Sequence, residues 1–381
     1  MRETDIVIAG GGLAGSTAAA MLGRAGFDVV VVDPHVIYPP DLRCEKLDAW
    51  QVEVLRRTGL AEQVLAAATP DVECWTARFG RVIEKRPGVQ WGILYDTLVN
   101  TMRAHMPTYV TVIHGKVAGI VNSSERQVVT LADGEQISAR LVVIASGLNN
   151  GLRHSLGITR EEVSKSHSVT LAFDLEPVGR PRFDFRALTY YGERAVDRVA
   201  YLTLFPVGET TRANLMVYRD PRDPWLREMR ERPVPAMLSV MPRLGNLIGS
   251  AQVAGPVLVR PADLYRTHGY QQPGIVLIGD AFATSCPAAG TGCGKVLTDV
   301  ERLCNVHVPR WMATAGMAVE KINDFYADPV KVACDRHSFE WAHELRSITI
   351  DEGLPWRAKR WTRFLGRMAI GTARTAMGRT A

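Results

Sequence analysis

The hexapeptide Gly10-Gly11-Gly12-Leu13-Ala14-Gly15 narrows the folds open to this chain more than any other feature, because it satisfies G-x-G-x-x-G between an apolar strand and a small-residue helix. Asp5-Ile6-Val7-Ile8-Ala9 reads as a buried strand, Ser16 to Ala25 as the helix, and Asp28 to Val32 as a second buried strand ending at Asp33. Together they predict a βαβ unit of about 30 residues. Gly10 permits the tight turn, Gly12 lets backbone approach a pyrophosphate, and Gly15 allows close packing of helix on strand. Asp33, 23 residues after Gly10, can accept hydrogen bonds from ribose hydroxyls. This is a dinucleotide site, and it leaves FAD and NAD both open.

Helical periodicity returns in Leu47–Leu60 and Tyr95–His105, followed by short strands at 109–114, 116–121 and 127–131 and the apolar strand Leu141–Ala145. From about residue 166 to 269 the pattern changes to alternating strands (169–175, 187–191, 199–205 and 213–218), which predicts a mostly antiparallel sheet in its own layer. Residues 224–247 look helical with proline interruptions, Ile275–Ile278 is another apolar strand, and Val296–Val306 is helical.

Composition excludes several functions. Seven of the 45 basic residues lie in positions 356–381, where there is no carboxylate, so the formal charge of +5 falls to −2 without that tail. The body has no basic, aromatic-interleaved face for nucleic acid. The six cysteines have no CxxC spacing and no zinc-finger histidine partner, so free thiols and no metal site are expected. The N-terminus shows no secretory pattern and no apolar run reaches the roughly 18 residues of a membrane span, which predicts a cytoplasmic setting.

A second glycine-rich segment bears on the cofactor. Gly279-Asp280-Ala281 follows the strand at 275–278 and leads into Pro287-Ala288-Ala289-Gly290-Thr291-Gly292. With the N-terminal fingerprint, this pair of motifs resembles the FAD-dependent aromatic hydroxylases, the p-hydroxybenzoate hydroxylase fold group of flavin monooxygenases. The resemblance implies that Asp280 hydrogen-bonds the flavin ribityl chain and that Pro287, Gly290, Thr291 and Gly292 present backbone amides to the ring edge. Amides at a loop-to-helix junction suit the negative charge of a reduced flavin.

The family's middle motif, an Asp-Gly after a strand, is replaced here by Ser146-Gly147, which keeps the glycine and loses the charge. A histidine common after the second motif is replaced by Ala283, and Tyr95 stands where relatives often carry arginine or glutamine. Arg43, and after it Lys46, fall where the family often places a cation on the FAD phosphates; a solvated charge cluster is the competing reading. Lys295 follows Gly294, but Ala289 and Val296 break a Walker A pattern, leaving it to neutralise reduced flavin or to cap a surface helix. Cys286 and Cys293 flank the same loop, with packing favoured over a redox pair.

Substrate residues are less specified. Tyr190, Tyr191, Tyr201 and Phe205 sit on predicted strands and could wall an apolar pocket, although strand aromatics usually form sheet core. Tyr190, Tyr201 and His167 are the weak candidates for a catalytic role. In the tail, Trp361, Phe364, Leu365 and Met368 recur at i, i+3, i+4 and i+7 among Arg357, Lys359, Arg360, Arg363 and Arg367, a basic amphipathic helix. It either packs on the FAD-binding part with its arginines solvated or touches an anionic membrane or acidic partner.

The expected architecture is α/β: a Rossmann-like FAD-binding domain, a mostly antiparallel β-sheet substrate domain and a helical C-terminus. The FAD-binding part is expected to be discontinuous (1–70, 98–165 and 270–325), the substrate part to span 71–97 and 166–269, and the helical region 326–381. The resemblance implies reduction of FAD by NAD(P)H, reaction with O2 to a C4a-hydroperoxide, and hydroxylation of an aromatic or other electron-rich small molecule. Reduction of an isoprenoid or lipid-like substrate, halogenation and non-catalytic flavin binding are the alternatives. The Ser146-Gly147 departure favours the first of these, and the absence of a W-x-W pair counts against the second.

Overall fold

The computed structural model describes the backbone of residues 1–378 and the side chains of residues 1–371. Two seven-stranded sheets organise it. In the first, the order is 111–113, 29–32, 2–9, 136–144, 127–131 and 117–121, with Ile275–Leu277 also beside Gln136–Ile144. Arg2–Ala9 pairs in parallel with both Val29–Val32 and Gln136–Ile144, while the 127–131 and 117–121 strands run antiparallel. The central strands carry the apolar runs Ile6–Ala9, Val29–Val32 and Leu141–Ile144 because both faces are covered there. Ile6, Ile8, Val29 and Val31 pack on the helix Leu13–Arg24 and on later helices; Val7, Val30, Val142 and Ile144 form the opposite core.

The second sheet has the order 251–268, 159–177, 210–217, 199–207, 187–191, 73–78 and 81–87, antiparallel except between 187–191 and 73–78. One face carries Leu171, Phe173, Leu188, Tyr190, Leu202 and Leu204 against the helices of residues 224–248. The other face presents Thr189, Tyr191, Tyr201, Thr203 and Asn214 to a cavity. The strand Ala251–His268 escaped sequence reading, since Gly255, Pro256 and Pro261 interrupt its pattern. It lies at the sheet edge, where a missing N–H costs no ladder bond.

Six helices matter for the site: α1 (Leu13–Arg24), α2 (Ala49–Arg57), α3 (Tyr95–Ala104), α4 (Gly292–Arg302), α5 (Pro329–Ile350) and α6 (Leu354–Gly378). The expectation that the basic tail packs on the FAD-binding part is corrected. Helix α6 crosses the hairpin of the second sheet: Trp361 stacks on Phe79 with centroids 6.3 Å apart, and the Arg367 guanidinium lies 4.7 Å from the Tyr191 ring centroid. The side chains of residues 372–381, also part of that tail, lie outside the described residues. Among the described residues no helix is long and apolar enough to cross a membrane.

Candidate flavin site

The glycine turn sits at the C-terminal end of Arg2–Ala9, the usual place for a ligand in an open α/β sheet. Gly10 has φ +110°, and a Cβ there would meet the Ala145 carbonyl oxygen at 2.6 Å. A Cβ on Gly15 would lie 1.8 Å from the Gly10 carbonyl oxygen, so α1 touches the strand backbone at this point. Gly12 faces open space, with only Tyr38 at 3.8 Å.

Asp33 braces the turn. Its Oδ2 accepts from Gly11 N–H at 2.7 Å, and its Oδ1 accepts from His35 N–H at 2.9 Å and from Arg103 at 2.8 Å. Burial alone would raise this carboxyl, but the two amides and the guanidinium outweigh it and hold the group below its ordinary range. Arg103 also donates to the Gly11 carbonyl at 2.8 Å and the His35 carbonyl at 2.6 Å. No motif marks this arginine in the sequence.

The three glycine-bearing segments meet. Arg153, buried without a carboxylate partner among the described residues, donates to the carbonyls of Gly147 at 2.8 Å and Ala281 at 3.2 Å. Burial and neighbouring Arg160 push it down to about 10. Arg160 reaches the carbonyls of Gly147 and Asp280. Arg43 pairs with Asp280 at 2.6 Å and with Asp41 at 2.6 Å, and its guanidinium lies 5.8 Å from the ring of buried Tyr95. The Gly290 carbonyl accepts from Gln51 at 2.8 Å, and Gln51 completes a capping box with Asp48 at the head of α2.

A cavity of about 770 Å³ opens between these segments and the second sheet. Leu13, Arg43, Lys46, Asp280, Pro287, Gly290 and Gly292 line it; Gly10, Gly12, Ala14, Gly15, Asp33, Ser146, Gly147 and Thr291 do not. Thr291 is turned toward α5, its hydroxyl 2.7 Å from that of Ser338. Tyr201 lines the cavity and donates to the Ala288 carbonyl at 2.6 Å, joining the second sheet to the 287–292 loop. Glu45, 4% exposed, accepts two bonds from Arg212 at 2.8 and 2.9 Å and one from Asn214 at 2.6 Å. The charged run at residues 43–46 is therefore a strut between layers.

Several expectations are corrected by the geometry. Lys46 does not approach the glycine turn: its ammonium donates to Gln90 at 3.3 Å and lies 5.5 Å from the Phe205 ring, and burial lowers its pKa. Lys295 is neither a surface cap nor beside the cavity. It is buried against Asp299 at 3.4 Å and Asp335 at 3.2 Å. Tyr190 faces the core, donating to Glu193 at 2.6 Å, because strand alternation puts it opposite Thr189 and Tyr191. His167 has both ring nitrogens engaged, with Ser164 at 3.0 Å and the Ala342 carbonyl at 3.2 Å; burial pushes it down to about 4, so it is neutral near pH 7. Cys286 and Cys293 separate, the first beside Ser168 at 3.4 Å and the second against Cys44.

These residues fit a flavin nucleotide. The open face at Gly12 and the positive-φ Gly290, beside which a Cβ would meet nothing, leave bare backbone to approach a ligand. Ser146 Oγ is buried without a hydrogen-bond partner among the described residues, the mark of a group awaiting one.

Residues 3–306 match the FAD binding domain family. The chain belongs to that family. FAD is its cofactor, and it is an oxidoreductase of the monooxygenase group, as its motifs led us to expect. It is 28% identical over 333 residues to the 3-demethoxyubiquinol 3-hydroxylase of Escherichia coli, covering 81% of this chain and 80% of that one. It is 26% identical to digeranylgeranylglycerophospholipid reductase 1 of Methanopyrus kandleri, covering 78% and 80%. Among solved structures, p-nitrophenol 4-monooxygenase from Pseudomonas putida superposes with a TM-score of 0.75 at 16% identity over 97% of this chain and 95% of that one.

Proposed function

We propose that the protein is an NAD(P)H- and O2-dependent monooxygenase that hydroxylates an aromatic or other electron-rich small molecule held between the second sheet and the 287–292 loop. The observation that carries this reading is one continuous cavity joining Asp280, Gly290 and Gly292 to the wall of Tyr191, Tyr201 and Thr203. Bound FAD would supply the oxygen chemistry. The chain's own part is to bind, orient and exclude water.

In this reading Gly10, Gly12, Leu13, Ala14, Gly15 and Asp33 hold the nucleotide end, with Arg43, Ser146, Gly147 and Asp280 along its middle. Pro287, Gly290, Thr291 and Gly292 meet the ring, where the N-terminus of α4 contributes positive partial charge. Lys46 is reassigned to the substrate wall. Reduction of a lipid-like substrate is the second reading, favoured by the likeness to a phospholipid reductase. Turnover under ¹⁸O2 with a panel of phenols and quinone precursors decides between them. We expect one labelled oxygen per product; a reduced product formed without oxygen uptake would overturn the assignment.

We also propose a peripheral membrane contact through α6, on which Leu354 and Leu365 are 78% and 56% exposed on one stripe. Leu354→Asp with Leu365→Asp is expected to weaken cosedimentation with phosphatidylglycerol vesicles by about tenfold, the effect of withdrawing two apolar side chains from lipid. Unchanged cosedimentation would refute it.

A further inference from the structure

The cavity end beneath α6 gathers four cations, of which Arg78 feels the charge of Glu193 and Arg360 those of Glu352 and Asp351. Arg78 of the hairpin and Arg360, Arg363 and Arg367 of α6 line it, whereas the carboxylates that line the cavity are Glu45, Asp48, Asp263 and Asp280, none on the hairpin or α6. Glu45 is taken by Arg212 and Asp280 by Arg43.

The four guanidiniums are held in place mainly by neutral groups. Arg78 donates to the Gly192 carbonyl at 2.9 Å and the Glu193 carbonyl at 3.5 Å. Arg360 donates to the carbonyls of Ile348 at 2.8 Å and Asp351 at 2.7 Å. Arg367 meets the Tyr191 hydroxyl, and Arg363 lies 4.9 Å from the Trp341 ring centroid. Among the described residues, Arg78, Arg360 and Arg367 form no ion pair with a carboxylate, and Arg363 reaches only Glu344 at 3.6 Å, which Lys359 holds at 2.9 Å. Burial and the neighbouring Arg360 charge together depress Arg78. Like charges gathered against partly buried apolar walls are costly unless an anion joins them.

Beside this cluster the walls are apolar: Tyr191, Tyr201, Trp341, Leu345, Ile348 and Phe364. We propose that the substrate is an amphipathic anion, an apolar ring or chain that reaches toward the flavin and ends in a phosphate or carboxylate clasped by Arg78, Arg360, Arg363 and Arg367. Planar guanidiniums match both oxyanions, and a dianion would gain most. The inference rests on the reading of this cavity as the substrate site. It is distinct from the lipid-facing stripe of α6, because these arginines line the cavity and Leu354 and Leu365 do not.

The test uses the FAD-loaded, oxidised enzyme without reductant, so its outcome is independent of whether the reaction is hydroxylation or reduction. Quenching of tryptophan fluorescence reports binding of decyl phosphate, decanoate and decanol as monomers, and of inorganic phosphate alone. Decyl phosphate is expected to bind at least about tenfold more tightly than either decanol or inorganic phosphate, and to weaken with added salt. Arg78→Gln and the exposed Arg367→Gln should each cost decyl phosphate about tenfold and leave decanol unchanged. Equal affinity for decanol or for inorganic phosphate, or a loss shared by all ligands as simple packing would give, would overturn the proposal. Displacement of decyl phosphate by phosphatidylglycerol vesicles would assign the arginines to a lipid surface and overturn it as well.

Discussion

Gly15→Ala is expected to yield protein that carries almost no flavin. The new methyl would lie 1.8 Å from the Gly10 carbonyl oxygen, less than two-thirds of a normal contact, and that atom belongs to backbone that cannot swing aside. Relief requires α1 to retreat from the strand, yet Ala18, Ala19 and Leu22 on that helix are fully buried in the core. Overpacking of this kind costs about 3 kcal/mol, roughly a hundredfold in an equilibrium constant, and here it falls on the turn that carries the nucleotide. Flavin-to-protein absorbance ratio and FAD titration of the apoprotein measure it. Gly119→Ala is the control, since a Cβ there meets nothing within 4 Å. A Gly15→Ala protein with parental flavin content would contradict the packing of α1 described here.

The second large effect concerns Asp299. Its Oδ1 accepts from Lys331 at 2.7 Å, its Oδ2 from Gly279 N–H at 2.9 Å and from Lys295 at 3.4 Å, and all three side chains are almost fully buried. Asp335 bridges the same two ammoniums at 2.9 and 3.2 Å. Asp299→Ala would leave two buried cations sharing one carboxylate, a loss of about 3–5 kcal/mol. Urea unfolding should show it as a lower midpoint, and weaker FAD binding should accompany it because Gly279 precedes Asp280. An unfolding free energy within about 0.5 kcal/mol of the parent, the range of neutral surface substitutions, would refute the account. Burial works to raise Asp299, but Lys295 and Lys331 outweigh it, so its pKa lies below 3.8. Its stabilisation is therefore complete well above pH 3.8 and is lost as pH falls through the lower native value. The gap between parent and Asp299→Asn should close on acidification.

The parts of the molecule most legible in sequence are those where backbone geometry leaves one residue type. Gly10 and Gly15 announce the turn because no side chain fits there, and the apolar runs beside them announce strands covered on both faces. Side-chain destinations were far less legible. Tyr190 and Tyr191 are adjacent in sequence and face opposite layers, a distinction set by strand register. Sequence leaves Lys295 between a flavin contact and a surface cap, because its partner Asp335 lies 40 positions away on another helix. Arg103, Arg153 and Arg160 brace the turns through distant backbone carbonyls, and a carbonyl leaves no mark on a sequence. Helix α6 displays its amphipathic face plainly, but which layer receives it is a tertiary outcome.

The first sheet is completed only by Ile275–Leu277, alongside a strand that ends at Ile144. During translation, Ile275–Leu277 emerges about 130 residues after the strand it covers. At roughly 5–20 residues per second that interval lasts about 7 to 27 seconds. Over it the flank of Val142–Ile144 that the last strand will cover stays open, an unpaired apolar edge that a neighbouring chain could engage before the sheet closes.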